Sequence, residues 1–297
     1  MSTQAGLRSF FIVAAVLALI AGVMLFIGAA ETDRFFAWTI EPPLTAAFLG
    51  AAYWAALVLL AWAANQHEWA RARTALPAVF VIAVLLLIAT LIHLDKFDLD
   101  SLFGWFWLTV YVIVVPLLAV LIWRQNHVQR HQPHPSQSGL RPSAPGQTPG
   151  AGQVPRGDRP LPTWLRLALS LQAGAMLGIG AALFVFGTDA ASIWPWALTP
   201  LTARAVGAFL CGFGVAAAVA VREDDLDRLR GSALAYAALG ALELLAVAIH
   251  SGDLTGTDLD QGLYIAFCAS VLAVGAYGIW ASRSAPSRAP SARSASA

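Results

Sequence analysis

Charge is what this sequence lacks most. Of its 297 residues only 12% are Asp, Glu, Lys or Arg, against 58% hydrophobic, and the mean hydropathy is +0.67. A water-facing domain carries roughly 25% charged residues, so a chain this poor in charge cannot cover a soluble surface and belongs in lipid. The net charge of +1 gives no electrostatic footprint for nucleic acid. Cysteine is nearly absent. Cys211 and Cys268 each sit in an apolar run without a second thiol at motif spacing, and both read as small core hydrophobes. Catalytic signatures are missing too: there is no Walker A loop, H-E-x-x-H, nucleophile elbow or dinucleotide fingerprint. The chain is not expected to be an enzyme.

What the sequence has is long apolar runs. About 20 such residues cross a bilayer as a helix, and eight runs qualify: Phe10–Ala30, Leu44–Ala64, Ala75–Leu94, Leu102–Trp123, Leu165–Gly187, Leu201–Val221, Ser232–His250 and Gly262–Ala281. Runs of this length exclude strands. The first is too long for a signal-peptide core and recurs later in the chain, so it reads as a retained span. The expected class is all-α integral membrane.

The runs repeat. "PPLTAAFLG" (42–50) returns as "TPLTARAVG" (199–207). A shift of 157 aligns Pro43 with Pro200, Thr45 with Thr202, Gly50 with Gly207, Arg71 with Arg228, Arg73 with Arg230 and His93 with His250. Before Trp38 the shift is 158, pairing Arg8 with Arg166, Gly22 with Gly180, Phe26 with Phe184 and Trp38 with Trp196. A four-helix unit has been doubled. Four spans per copy return the chain to the same side, so the repeat is parallel about an axis along the membrane normal. Pro43 and Pro200 suit the first helical position, where a missing N–H costs nothing. Gly50 and Gly207 suit a close helix approach.

The units are residues 1–124 and 164–281, with a Pro/Gly/Ser-rich linker over 125–163 and a tail over 282–297, both too polar to fold alone. Arg8, Arg71, Arg73, Arg222, Arg228, Arg230 and the linker and tail arginines fall on one side of the spans. By the positive-inside rule both termini and the linker are cytoplasmic, and the location is the plasma membrane. "REDDLDRLR" (222–230) reads as a solvated charged turn. Ala14, Ala18 and Gly22, and Gly174, Gly178 and Ala182, form small-xxx-small faces expected to pair between the copies.

Candidate sites are few. His93 and His250 end the third and seventh spans and would share one metal or haem iron if those helices flank the axis. The plainer alternative is that each caps the last carbonyls of its helix. Two histidines alone complete no zinc site, so no cofactor is required. His127, His131 and His134 are a compositional metal-binding signal on the other side. The second copy gains Glu243 where the first has Leu86, and Arg204 where it has Ala47. Ionisable groups inside a span mark function or a buried pair. Two readings stand: an Arg204–Glu243 clamp, or a polar cavity lined by Tyr236, Glu243 and His250, which recur every seven residues on one helix face.

With "FFAWTIEPPLTAAFLGAAYWA", "WARARTALPAVF" and "ATLIHLDKF", the first 125 residues resemble a group of uncharacterised bacterial, chiefly actinobacterial, multi-pass membrane proteins. The resemblance implies the membrane architecture and transfers no activity. The expected function is carriage of a small solute or ion between the copies. The alternatives are a redox or haem protein using His93 and His250, or a scaffold. The expected partners are the lipid bilayer, a small solute or ion and, in an oligomer, further copies of the chain.

Overall fold

The computed structural model describes residues 3–66, 75–131 and 159–283, and all regular structure among them is helical. Helix α1 (Thr3–Gly22) continues through a π-helical turn, Val23–Ile27, before a 3-10 turn and the short α2 (Thr32–Phe35). The others are α3 (Pro43–Ala64), α4 (Leu76–Ile92), α5 (Leu102–His131), α6 (Thr163–Phe186), α7 (Pro200–Glu223), α8 (Leu226–Ile249) and α9 (Asp258–Arg283). Seven of the helical stretches, all except α2 and α4, are long and apolar enough to cross a membrane. This is an all-helical, multi-pass membrane protein. Large apolar side chains such as Val13, Leu171, Trp105, Phe106 and Leu263 stand exposed on its outer faces, as contact with lipid requires.

Helix α4 is the short one. Its 17 residues rise about 25 Å at 1.5 Å each, against roughly 30 Å of hydrocarbon. His93 ends it with non-helical backbone, and a 3-10 turn, Leu94–Lys96, follows. Helices α8 and α9 begin earlier than hydropathy places them, at Leu226 and Asp258. A helix can extend past the hydrocarbon into water, where charged residues are welcome.

Helices α3 and α7 form the centre and are the most buried of the spans. α1 packs on α3 and α6 on α7, while α4 lies between α7 and α5, and α8 between α3 and α9. The same local geometry recurs 157 or 158 residues apart. The Asp98 N–H donates to the Ala37 carbonyl at 3.1 Å, and the Thr255 N–H to the Pro195 carbonyl at 3.1 Å. His93 closes α4 at φ −119°, ψ 34°, and His250 closes α8 at φ −113°, ψ 33°. Trp38 meets Phe36 and Trp107 edge-on, with centroids 4.8 and 4.9 Å apart. Trp196 meets Trp194 and Tyr264 likewise at 5.1 and 5.2 Å.

The starts of α3 and α7 carry proline as expected, but their caps differ. Thr199 and Thr202 close a reciprocal capping box on α7. Pro42 stands where Thr199 would and has no side-chain oxygen to offer, so the Leu44 N–H of α3 donates to Asp253 Oδ2 at 2.9 Å. Gly50 and Gly207 do mark close approaches. A Cβ at Gly50 would strike the Phe26 backbone, and one at Gly207 the Gly180 carbonyl and the Phe184 nitrogen.

Two expectations are corrected. The small-residue faces do not pair between the copies, since α1 and α6 each pack on the next long helix of their own set. Gly174 and Gly178 face open space, because the small residues that matter lie on α7: Gly207 and Gly214 receive Phe184 and Leu177 of α6. Nor is the 222–230 turn merely solvated. Asp224 accepts from the Leu161 N–H at 3.0 Å and from Arg166, and Asp227 pairs with Arg159 at 2.8 Å. Glu223 pairs with Arg228, and Asp225 caps α8. Each acid has a cationic or backbone partner, so the turn clamps the chain that leads into α6. Within 125–163, residues 125–131 continue α5 and 159–162 join this clamp. Arg71, Arg73, His134, the side chains of His127 and His131, residues 132–158 and residues 284–297 lie outside the described structure.

Candidate functional site: a carboxylate in an aromatic cavity

Glu243 lies six residues before the end of α8, a helix that packs on α3 with one face and on α9 with another. Its side chain is 2% exposed. Oε2 accepts a hydrogen bond from the Tyr264 hydroxyl of α9 at 3.1 Å, and Oε1 has no partner among the described residues. A buried carboxyl with half its bonding capacity unused is costly, and a fully apolar replacement would cost less. It is therefore the first place to look for a ligand.

Glu243 forms part of the wall of a cavity of about 330 Å³. The aromatic side chains on that wall are Phe48, Trp194, Phe213, Tyr264 and Phe267, with Cys268 beside them and Asp260 as the second carboxylate. No Arg, Lys or His is among its lining residues. Three of these rings, Phe48, Trp194 and Tyr264, are in edge-to-face contact. Trp194 and Tyr264 are 5.6 Å apart at 69°, and Phe48, reaching across from α3, meets Trp194 at 5.6 Å and 89°. Only Phe48 comes from the N-terminal set of helices.

A second cavity, of about 320 Å³, lies among α1, α3, α4 and α5. Its walls repeat those of the first at the 157/158 spacing: Phe36 for Trp194, Tyr53 for Leu210, Trp107 for Tyr264, Val110 for Phe267 and Tyr111 for Cys268. Phe103 stands for Asp260. The position of Glu243 is Leu86, which is buried and off that wall. Here the polar groups satisfy each other: the Tyr53 and Tyr111 hydroxyls bond at 2.6 Å, and the Trp107 indole N–H donates to Thr90 Oγ1 at 3.0 Å. The two cavities match in size, and only one of them is lined by carboxyl groups.

The other candidate residues are not gathered around Glu243. Arg204 does not pair with it. In the first turn of α7 its Nη1 lies 2.8 Å from His93 Nε2 and donates to the Pro200 carbonyl at 3.2 Å, because α7 packs on α4 rather than on α8 there. Arginine has no lone pair to offer and stays charged, so Nε2 of a neutral His93 is the acceptor in that bond. The lone pair a metal would need is thus engaged. His93 and His250 end helices that pack on α7 and α3 respectively, so α3 and α7, not α4 and α8, lie at the centre. No group of three potential metal ligands forms among the described residues. Tyr236 lies two turns from Glu243 and outside its cavity; its hydroxyl donates to the Phe213 carbonyl at 3.3 Å and contacts Met176 Sδ at 3.4 Å. His250 caps α8 and is also off the cavity wall. Between the two sets, at the end bearing both histidines, lies an open basin of about 800 Å³ that Asp33, Glu41 and Asp253 help to line.

Sequence reasoning assigns no site role to Tyr264, Asp260 or Trp194 and takes Cys268 for a core hydrophobe. The signal was available. Leu86 to Glu243, Phe103 to Asp260, Trp107 to Tyr264 and Tyr111 to Cys268 are four changes at the repeat spacing, all in the third and fourth helices of a unit. Taken singly each is unremarkable, and only the fold brings them to one wall. In comparison with known proteins, the chain matches no family model, and no curated protein or solved structure matches it.

Proposed function

We propose that this chain is a small-solute carrier of the plasma membrane that receives its solute in the Glu243 cavity. One observation carries the reading: the carboxyl group of a residue 2% exposed within a membrane-spanning helix, one oxygen without a partner among the described residues, on the wall of a cavity of about 330 Å³. Ionisable groups at that depth face solute pathways or partners, and Arg204, which stands where the first copy has Ala47, is engaged by His93 instead. The sequence alone points to carriage between the copies. The cavity lies almost wholly in the C-terminal set and takes only Phe48 from the other.

The same reading includes a parallel doubling of a four-helix unit, with α4 as the eighth span. Its support is the recurrence of hydrogen bonds, aromatic triads, helix ends and cavity walls at one spacing. The second helix of each set also packs on the third of the other, as a two-fold relation would have it. Cytoplasmic termini follow from the arginines at 8, 166, 222, 228 and 230. Membership of the bacterial membrane-protein group belongs to this reading and rests on the segments quoted for it. A haem or metal centre at His93 and His250 is less favoured, since His93 already accepts from Arg204.

Uptake of a panel of small organic solutes into liposomes holding the purified protein tests the reading. The wild type is expected to carry at least one of them and Glu243→Gln to carry it much more slowly. Equal flux in both, or no flux above empty liposomes for any solute, would sink it.

A further inference from the structure

The geometry points to a lipophilic organic cation, a quaternary or protonated amine with an apolar body, as the ligand of the Glu243 cavity. This rests on reading that cavity as a solute site and names the solute's chemistry. Three features of the wall converge. First, its formal charge is of one sign: Glu243 and Asp260 are the carboxylates, and no cationic side chain is among the lining residues. Second, the rest is mainly aromatic and aliphatic. Phe48, Trp194 and Tyr264 stand edge-to-face around one region, the kind of lattice whose ring faces attract an ammonium group. Third, Glu243 Oε1 is buried without a partner among the described residues while Oε2 is held by Tyr264, which leaves one oxygen to meet a positive charge.

The matching cavity among α1, α3, α4 and α5 sharpens the argument. It has nearly the same volume, about 320 Å³, and equivalent residues at most wall positions. Yet it has no carboxylate, since Leu86 and Phe103 take the places of Glu243 and Asp260. Volume and apolar lining are common to both cavities, so the feature that sets the Glu243 cavity apart is a pair of carboxyl groups beside aromatic rings. A neutral apolar ligand would gain nothing from that difference. A cation would.

The experiment compares benzyltrimethylammonium with neopentylbenzene, its uncharged isostere, by calorimetric titration into protein in lipid nanodiscs, corrected against empty discs. The inference expects the cation to bind at least about tenfold more tightly than the isostere, on the scale of a desolvated cation–aromatic contact plus a charge partner. Glu243→Gln should remove that advantage and leave the isostere's affinity unchanged. Glu243→Leu serves as a second variant, because Leu86 already fills the matching position in α4 and the fold tolerates it there. Both variants are first checked to elute as the wild type does. Equal binding of cation and isostere, or cation binding unaffected by both variants, would overturn the inference while leaving the cavity a solute site. If neither compound binds the wild type, the solute-site reading falls with it.

Discussion

Asp253, in the turn after α8, accepts the backbone N–H of Leu44 at 2.9 Å, so the start of α3 is capped by a side chain 209 residues further along the chain. The matching helix, α7, is capped from within by Thr199. Loss of a cap costs about 0.5–2 kcal/mol. Asp253→Ala should destabilise the protein in detergent by that order, read as a lower Tm, and loosen α3 at one end only. Amide hydrogen exchange checks it: protection should fall at the start of α3 and persist at the start of α7.

The Trp196 indole N–H donates to Thr45 Oγ1 at 2.9 Å, joining the C-terminal set to α3. Trp38, its counterpart 158 residues earlier, has no such partner among the described residues, and Thr202, the counterpart of Thr45, bonds instead with Thr199. Trp196→Phe should therefore cost more stability than Trp38→Phe. A double-mutant cycle of Trp196→Phe with Thr45→Val should give a coupling of about 0.5–1.5 kcal/mol, the net worth of a buried hydrogen bond. A coupling near zero would show that the bond contributes nothing.

Glycines on the same protein should respond in opposite directions. Gly207→Ala forces a Cβ against the backbone of α6, and overpacking of this kind costs about 1–3 kcal/mol. Gly174→Ala and Gly178→Ala place a methyl in open space and gain up to about 1 kcal/mol of helix propensity. Thermal unfolding of the three variants should show the first lower in Tm and the others unchanged or higher.

The clamp at the 222–230 turn should loosen in acid. The Leu161 N–H and the Arg166 guanidinium hold the Asp224 carboxyl below the usual carboxylate range. A carboxyl with a depressed value in the folded state stabilises fully above its unfolded value, 3.8 for an ordinary aspartate. That contribution is lost as the pH falls through the depressed folded value. Asp224 sits at φ 45°, ψ 41°, a left-handed conformation that asparagine tolerates. Asp224→Asn should keep the turn's shape and flatten the acid limb of a Tm-against-pH profile. An unchanged limb would assign acid sensitivity elsewhere.

How much of this the sequence carries can be argued residue by residue. Spans are legible because length and hydropathy act locally, and Pro43, Pro200, Gly50 and Gly207 keep the roles their chemistry gives them. Glu243 stands out because a carboxylate in an apolar run is expensive wherever it packs. Its partner is another matter. Arg204 appeared in the same unit and carried the right charge, but the pairing depends on which helix faces which, and α7 turns that arginine to α4. Tyr264, 21 residues after Glu243, is a neighbour only because α9 folds back along α8. Gly174 and Gly178 mislead for the same reason: a small residue permits a close approach without requiring one.

The central claim is that a solute engages the Glu243 carboxyl in its cavity, and infrared difference spectroscopy reads that group directly. Benzyltrimethylammonium added to the reconstituted protein should shift a carboxyl band that is absent from the same spectrum of Glu243→Gln. A difference spectrum identical in the wild type and the variant would contradict the account.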